Sequence, residues 1–331
     1  MSAGRQLLIG LATLLVIGVV VLDLSSFLGW PASGPVAVVA VLATHLTIVA
    51  LVIGVAVAFL GGTGVLRAAL VVLVALTFLR FGGEWLSIPD GTPETTPRIR
   101  VATWNLEVGG RPVPDTIAFL RSMPADVVAI QELTPDVSAA IAADPGLAVQ
   151  FPFQSLSPSS DVLGLGILSR FPLSSLRFER DPSRSSAMAD TPIGRVRLAN
   201  VHPLHDEIPR LAGLPIGYET TARDTDLDTI RGDLVSDGAT DPTVILGDIN
   251  TAPTEPAFGR FTTGLRDAHA EVGTGPGWTY RPDALEALGM GLIRIDVVLT
   301  GPGLRPIAES TACPTQGDHC AVLATVVADP G

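Results

Sequence analysis

The chain has 331 residues, with 21 arginines, no lysine, 33 acidic residues and a net charge of −12. Beyond residue 84 there are 18 arginines against 31 acids, and the arginines form no cluster. That balance argues against a broad basic nucleic-acid footprint. No repeat period or low-complexity tract is present.

Three apolar runs open the sequence. Residues 7–22 (LLIGLATLLVIGVVVL) are uncharged, residues 36–60 are interrupted only by His45 and threonine, and residues 65–79 carry Arg67 near their start. A spanning helix needs about 20 apolar residues, so three transmembrane helices are expected. A cleaved signal peptide is the competing reading of the first run. His45 reads as a packed or interfacial residue and Asp23 as an interfacial one. Arg5 and Arg67 put the N-terminus and the second turn in the cytoplasm by the positive-inside tendency. Everything after Arg80 then lies on the outer face. Residues 84–97 (EWLSIPDGTPETTP) read as a linker, with Trp85 suited to the aromatic belt. The expected division is a membrane domain at 1–83, a linker at 84–97 and one catalytic domain at 98–331.

The rest of the chain alternates strand-like runs with short helical ones at 113–122, 134–143 and 221–236. Six segments carry the chemistry: TWNLE at 103–107, IQEL at 130–133, NVHPL at 200–204, LGDIN at 246–250, RID at 294–296 and GDH at 317–319. Their flanks IRVATW, DVVAIQ, RVRLANV, TVILGD and IRIDVVLT read as buried strands. Carboxylates and amides at strand ends describe a cleft at one end of a sheet core. Such oxygens suit Mg²⁺, and histidines beside them suit proton transfer near neutral pH. Metal-assisted hydrolysis of a phosphate ester follows. Cys313 and Cys320 bracket the last motif, and a disulfide is expected there if the domain faces an oxidising compartment.

The order of these motifs resembles the endonuclease/exonuclease/phosphatase superfamily, which includes DNase I-like nucleases, inositol-phosphate phosphatases and sphingomyelinases. The resemblance covers residues 97–329. It implies an α/β fold, a four-layer sandwich of two packed β-sheets flanked by helices, here preceded by three transmembrane helices. It implies that Glu132 is the principal Mg²⁺ ligand, with Asn105, Glu107 and Asp318 near the metal and Mn²⁺ as an alternative ion. Alternation would put 105 and 107 on one face of an extended chain, and likewise 248 and 250. Gln131 would point away from Glu132 and orient neighbours.

By the same resemblance His202 donates to a phosphoryl oxygen, Asp248 orients or deprotonates the attacking water, and Asn250 donates to the phosphoryl group. Asp296 pairs with His319, which serves as general base or as a proton-bearing stabiliser. Arg223 is a substrate-binding candidate. The alternative for Arg223 is a helix-surface salt bridge. His205 is a further histidine candidate, and Arg170 is read as a substrate contact or as a surface arginine before a turn. Gly317 stands where the family has serine.

The overall architecture resembles an actinobacterial integral-membrane branch associated with teicoplanin resistance and thought to act on undecaprenyl pyrophosphate. A lysine-free, Ala/Val/Arg-rich composition fits a GC-rich genome. The expected partner is a membrane lipid or lipid-linked phosphate rather than nucleic acid. Rival readings are an extracellular nuclease, a phospholipase C-like enzyme and a non-catalytic protein that binds a lipid carrier. Oligomeric state is not legible.

Overall fold

The computed structural model describes the chain except at residues 1, 28–38, 87–90, 206–209, 212–213, 216–217, 237–240, 283–290 and 330–331. Two compact units result. One holds residues 1–83, 207–219 and 253–258; the other holds 84–206, 220–252 and 259–331.

In the first unit, α1 (Ala3–Phe27), α2 (Ala43–Phe59) and α3 (Gly64–Trp85) supply the helices. Ile9, Val16 and Val19 of α1 pack with Ala50 and Val57 of α2 and with Leu66, Leu70 and Leu73 of α3. The outward faces are apolar too: Leu7, Leu11, Leu14, Val52, Phe59, Val71, Phe78 and Leu79 are exposed. A helix apolar on all sides belongs in a membrane or a large core.

The expectation of three spanning helices is corrected. Only Ala3–Ser25 and Gly64–Gly82 are long and apolar enough among the described residues. The 17-residue α2 rises about 26 Å at 1.5 Å per residue, short of a hydrocarbon core of about 30 Å. Residues 36–38 of the expected second run lie outside the described residues. The third helix is longer than its apolar run suggested. It passes through Arg80, whose Nη1 donates to Asp23 Oδ1 on α1 at 2.7 Å. Thr47 of α2 donates to the other oxygen of Asp23 at 3.5 Å. Asp23, fully buried, is therefore where three helices meet rather than an interfacial residue.

The second unit contains β1 (Arg98–Asn105), α4 (Val113–Ser122), β2 (Val127–Gln131), α5 (Pro135–Ala143), α6 (Pro145–Gln150), β3 (Phe153–Ser157), β4 (Leu165–Ser169), β5 (Leu173–Arg180), β6 (Ser183–Thr191) and β7 (Gly194–His202). The two-residue strands β8 (Arg210–Leu211) and β9 (Leu214–Pro215) pair within the first unit. Next come α7 (Thr221–Ser236), β10 (Thr243–Asp248), α8 (Pro256–Thr262), β11 (Arg266–Asp267), α9 (Ala268–Val272), β12 (Asp296–Thr300), β13 (Leu304–Ala312) and β14 (Ala321–Ala328). Leu86, inside the expected linker, forms a bridge with Thr274.

The strands make two six-stranded sheets, ordered β13-β14-β1-β2-β4-β3 and β11-β12-β10-β7-β6-β5. Each has a parallel pair at its centre, β1 with β2 and β10 with β7, and antiparallel strands outside. Strand alternation sends Ile99, Val101, Val127 and Ala129 of one sheet against Val196, Leu198, Val244, Leu246 and Val298 of the other. The opposite face of the first sheet, with Trp104, Val128 and Ile130, packs on α4, α5 and α6 through Ile117, Leu120, Ile141 and Leu147. Thr134 and Asp144 cap α5 and α6, accepting from Val137 N and Leu147 N.

This topology explains why six distant motifs converge. The C-terminal ends of β1, β2, β7 and β10 lie at one end of the sandwich. The antiparallel strands β12 and β14 begin at that same end, with Asp296 opposite Asp248 and Val322 opposite Thr103.

Candidate active site

The inward rows of the central strands change chemistry at that end. After Val101, β1 turns Thr103 and Asn105 inward; after Ala129, β2 turns Gln131 inward. Asn200 and His202 end β7, Asp248 ends β10 and Asp296 opens β12. All are buried. Buried polar groups need partners, and these find each other across the sheets. Gln131 Nε2 donates to Asn200 Oδ1 at 2.6 Å. Asn200 Nδ2 donates to the carbonyl oxygens of Ile130 and Gly166 at 2.9 and 3.0 Å. Asn105 Nδ2 donates to Glu132 Oε1 and Asp248 Oδ2, each at 3.0 Å.

Three site residues occupy left-handed backbone: Glu107 (φ 56°), Glu132 (φ 57°) and Asn250 (φ 50°). Alternation therefore stops at Asn105 and Asp248, and the expected shared faces of 105 with 107 and of 248 with 250 do not form. The turns are held by side chains instead. Asn105 Oδ1 accepts from Glu107 N at 2.9 Å, Glu132 Oε2 from Val108 N at 2.8 Å, and Asp248 Oδ1 from Asn250 N at 2.9 Å. The glycine of LGD is a close approach: a Cβ at Gly247 would fall 2.0 Å from the Val201 carbonyl oxygen.

His202 Nδ1 donates to the Val162 carbonyl oxygen at 3.0 Å. Its Nε2 lies 3.8 Å from both Glu132 Oε1 and Asp248 Oδ2. His319 Nδ1 donates to Asp296 Oδ2 at 2.9 Å, and its Nε2 stands 3.6 Å from Asp248 Oδ2 and 3.9 Å from Asp318 Oδ1. Thr279 Oγ1 accepts from the backbone of Ile295 and Asp296, both at 3.1 Å. Burial disfavours the imidazolium of His319, but Asp296 and then Asp248 outweigh it and push the group up to about 10. Burial, then the charge of Asp296, holds Asp248 above the usual carboxylate range despite both histidines. Burial pushes Asp318 up to about 7 against the pull of His319, with Glu107 and Glu132 adding to the rise.

Arg223 sits on α7, buried, where Nη1 donates to the Asn250 carbonyl oxygen at 2.9 Å and Nη2 to Asp224 Oδ1 at 2.7 Å. It braces the turn that carries Asn250. Asn250 Nδ2 itself donates to the Pro203 carbonyl oxygen at 3.1 Å. His205 follows that segment on the surface, and Arg170 pairs with Asp126 at 2.8 Å with half its side chain exposed. His45 lies in α2, in the first unit. Cys313 and Cys320 are joined in a disulfide that closes the GDH loop.

Sequence reasoning missed Arg111 and Arg281. Neither stands in a motif, and both act on main-chain carbonyls of that loop. Gln131, expected to orient neighbours, reaches into the gap between the sheets, where its Nε2 donates to Asn200 Oδ1.

The residues fit a divalent cation. Five carboxylates (Glu107, Glu132, Asp248, Asp296 and Asp318) face at most two imidazolium charges, and no arginine ion-pairs with any of the five among the described residues. Among the described residues, Asp296 Oδ1 and Asp318 Oδ1 are buried without a hydrogen-bond partner. Asp248, Asp296 and His319 bring ligand atoms within 4.8 Å of one another. Oxygen donors in this number suit a hard cation. The clustering differs from the expected ligand set, since it draws on residues read as catalytic.

A family model described as the Endonuclease/Exonuclease/phosphatase family matches residues 102–319. The chain belongs to that family. It is accordingly a metal-dependent hydrolase of phosphoric esters. Comparison with curated proteins gives no match. Among solved structures, D. rerio TDP2 complexed with single strand DNA product superposes with a TM-score of 0.54 and 14% identity, over 69% of this chain and 98% of that one. The 3' phosphatase NExo from Neisseria, bound to product DNA hairpin, gives 0.53 and 20% over 68% and 98%. An endonuclease/exonuclease/phosphatase from Bacteroides vulgatus gives 0.53 and 16% over 70% and 99%. At these identities the likeness establishes the fold.

Proposed function

We propose that this protein is a membrane-anchored, Mg²⁺-dependent phosphoesterase that cleaves a phosphate ester or pyrophosphate at the outer membrane face, with a lipid pyrophosphate such as undecaprenyl pyrophosphate as substrate. The observation that carries the membrane part is the pairing of Asp23 with Arg80 inside helices whose outward faces are apolar. A cleaved leader would not carry the counter-charge for a retained helix. The disulfide supports an oxidising compartment. Outer-face placement from a cytoplasmic N-terminus takes a third crossing: Asp23 and Arg80 each stand near the C-terminal end of their helix, so α1 and α3 run parallel and the 17-residue α2 returns between them, its short length met by local thinning of the bilayer. The excess of acids beyond residue 84 disfavours a nucleic-acid partner.

Glu132, with Asn105, Glu107 and Asp318 around it, would hold the cation, and Asp248 completes the oxygen set. The ion supplies Lewis-acid charge to the phosphoryl group. Asp296 fixes the tautomer of His319, so Nε2 faces the reaction space beside Asp248. Asp248 orients the attacking water or takes its proton. With Nδ1–H given to the Val162 carbonyl, His202 would donate from Nε2 toward the phosphoryl oxygens as the imidazolium, and Asn250 would add an amide donor.

The test is product release by the full-length protein in liposomes, offered lipid pyrophosphate, phospholipid or duplex DNA, with Mg²⁺, Mn²⁺ or EDTA. Phosphate from the lipid pyrophosphate, lost in EDTA and in Glu132→Ala, is the expected result. Acid-soluble nucleotides would replace this reading with a nuclease, and released phosphocholine with a phospholipase C-like enzyme. Full turnover in EDTA would sink the metal mechanism.

A further inference from the structure

The loop that carries Asp318 and His319 is held by two arginines, Arg281 and Arg111, through its main-chain carbonyls. Arg281 is fully buried. Its Nε donates to the Gly317 carbonyl oxygen and its Nη2 to that of Pro314, each at 2.9 Å; its backbone N–H donates to that of Asp318 at 2.8 Å. Arg111 lies over the Trp104 ring at 4.7 Å, and its Nε donates to the Gln316 carbonyl oxygen at 2.6 Å. Nη1 of Arg111 donates to the Leu106 carbonyl oxygen at 3.1 Å, which ties the loop to the turn that follows β1.

Among the described residues, none of the bonds made by the Arg281 side chain goes to a carboxylate, and its Nη1 has no partner. Burying a guanidinium against carbonyls alone is costly. What it provides is a rigid fork with fixed donor directions. The disulfide, by contrast, closes the loop only at its ends, 313 and 320. The carbonyls next to the site residues are held by arginine.

We infer that Arg281, with Arg111 as a second hold on the same loop, is the positioning residue that sets Asp318 and His319 for the reaction, and that the disulfide serves stability instead. The inference rests on the phosphoesterase reading above. It separates two roles that share one loop. Loss of the fork displaces the site while the fold survives. Loss of the bridge weakens the fold while the site survives.

The experiment uses full-length protein, Mg²⁺ and bis(p-nitrophenyl) phosphate as probe. Arg281→Met should lower kcat by about 10²-fold, the cost of a displacement near 1 Å, with KM little changed. Arg281→Lys should recover part of that loss. The Cys313→Ser/Cys320→Ser protein should keep kcat within a few-fold while its Tm falls. Wild-type kcat in Arg281→Met, or an equal kcat loss on removing the bridge, overturns the inference. Amide hydrogen exchange decides without activity. Exchange at residues 314–319 should quicken in Arg281→Met and in Arg281→Lys, with the sheet core unaltered. Unchanged loop exchange overturns it too. A wild-type protein inactive on every phosphoester would instead defeat the proposed function, and the exchange result would still stand.

Discussion

At Gly317 the backbone has φ +94°, and the Arg111 guanidinium fills the space that a Cβ would need, 1.7 Å from its ideal position. The serine common at this place in the family would meet both obstacles. Left-handed backbone at a non-glycine costs about 1–3 kcal/mol, before any displacement of Arg111. Gly317→Ser is therefore expected to lower both Tm and kcat. In an Arg111→Ala background the same change should cost less, a coupling that a double-mutant cycle measures. Equal effects in the two backgrounds would mean that Arg111 does not set the residue at 317. A second residue-scale prediction concerns His319 in metal-free protein. Its folded pKa is raised to about 10 from an unfolded value near 6.5. The raised value means that the proton stabilises the fold. That contribution is fully present below about pH 6.5 and is lost as pH rises through about 10. In EDTA, wild-type Tm should fall over that window, and His319→Gln should flatten the fall. An identical profile in the variant would show that Asp296 and Asp248 do not hold a proton there.

At the scale of elements, the central strands and their polar ends carry the site, and both were legible. Runs such as VVAIQ and TVILGD are apolar on both faces, the mark of a strand covered on two sides. Helices at 113–122 and 221–236 also lie where the helical runs of the sequence put them. What the sequence hid is physical in origin. A glutamate gives no sign that its φ will be positive, so the turns at Glu107 and Glu132 could not be seen. IRIDVVLT reads as one strand, yet β12 starts only at Asp296, because Ile293 instead bridges Tyr280. Arg111 and Arg281 act through main-chain carbonyls far away in sequence, and a carbonyl has no residue code. Gln131 was legible as a neighbour of Glu132 but not as the link between sheets. Replacing it tests that link. Gln131→Leu removes the donor to Asn200 and leaves buried polar groups with fewer partners, which costs about 1–3 kcal/mol. Chemical denaturation should show that loss. A stability within error of wild type would mean that the apolar layer alone aligns the sheets.

For the whole molecule, the question is what the helices contribute to catalysis. A tether raises the effective concentration of a bilayer substrate and does nothing for a soluble one. A fragment from about residue 97 to Gly331 should keep the full-length rate on a soluble phosphoester and lose most of its rate on lipid pyrophosphate in liposomes. An unchanged ratio of the two rates would reduce the helices to an anchor and favour the extracellular nuclease. The proposed topology is checked in the same chain. A phosphatase-type reporter fused after Gly331 should be active, and a fluorescent reporter that matures only in the cytoplasm should be dark. The opposite pattern would remove the cell-envelope substrate.

The buried pair Asp23–Arg80 bears on how such a chain is made. A carboxylate or a guanidinium alone in hydrocarbon is expensive, and the two are 57 positions apart. During synthesis α1 emerges first, with Asp23 lacking its counter-charge until α3 follows. Release of α1 into lipid should therefore wait for the third helix, so that the pair enters the bilayer as a neutral unit. On the proposed three-crossing topology Arg80, neutralised by Asp23, would drop out of the charge balance that orients the chain, leaving Arg5 and Arg67 to set it. Crosslinking of stalled chains to the insertion machinery would show the wait: nascent chains that stop before Arg80 should stay beside it, and Asp23→Leu should let α1 leave early.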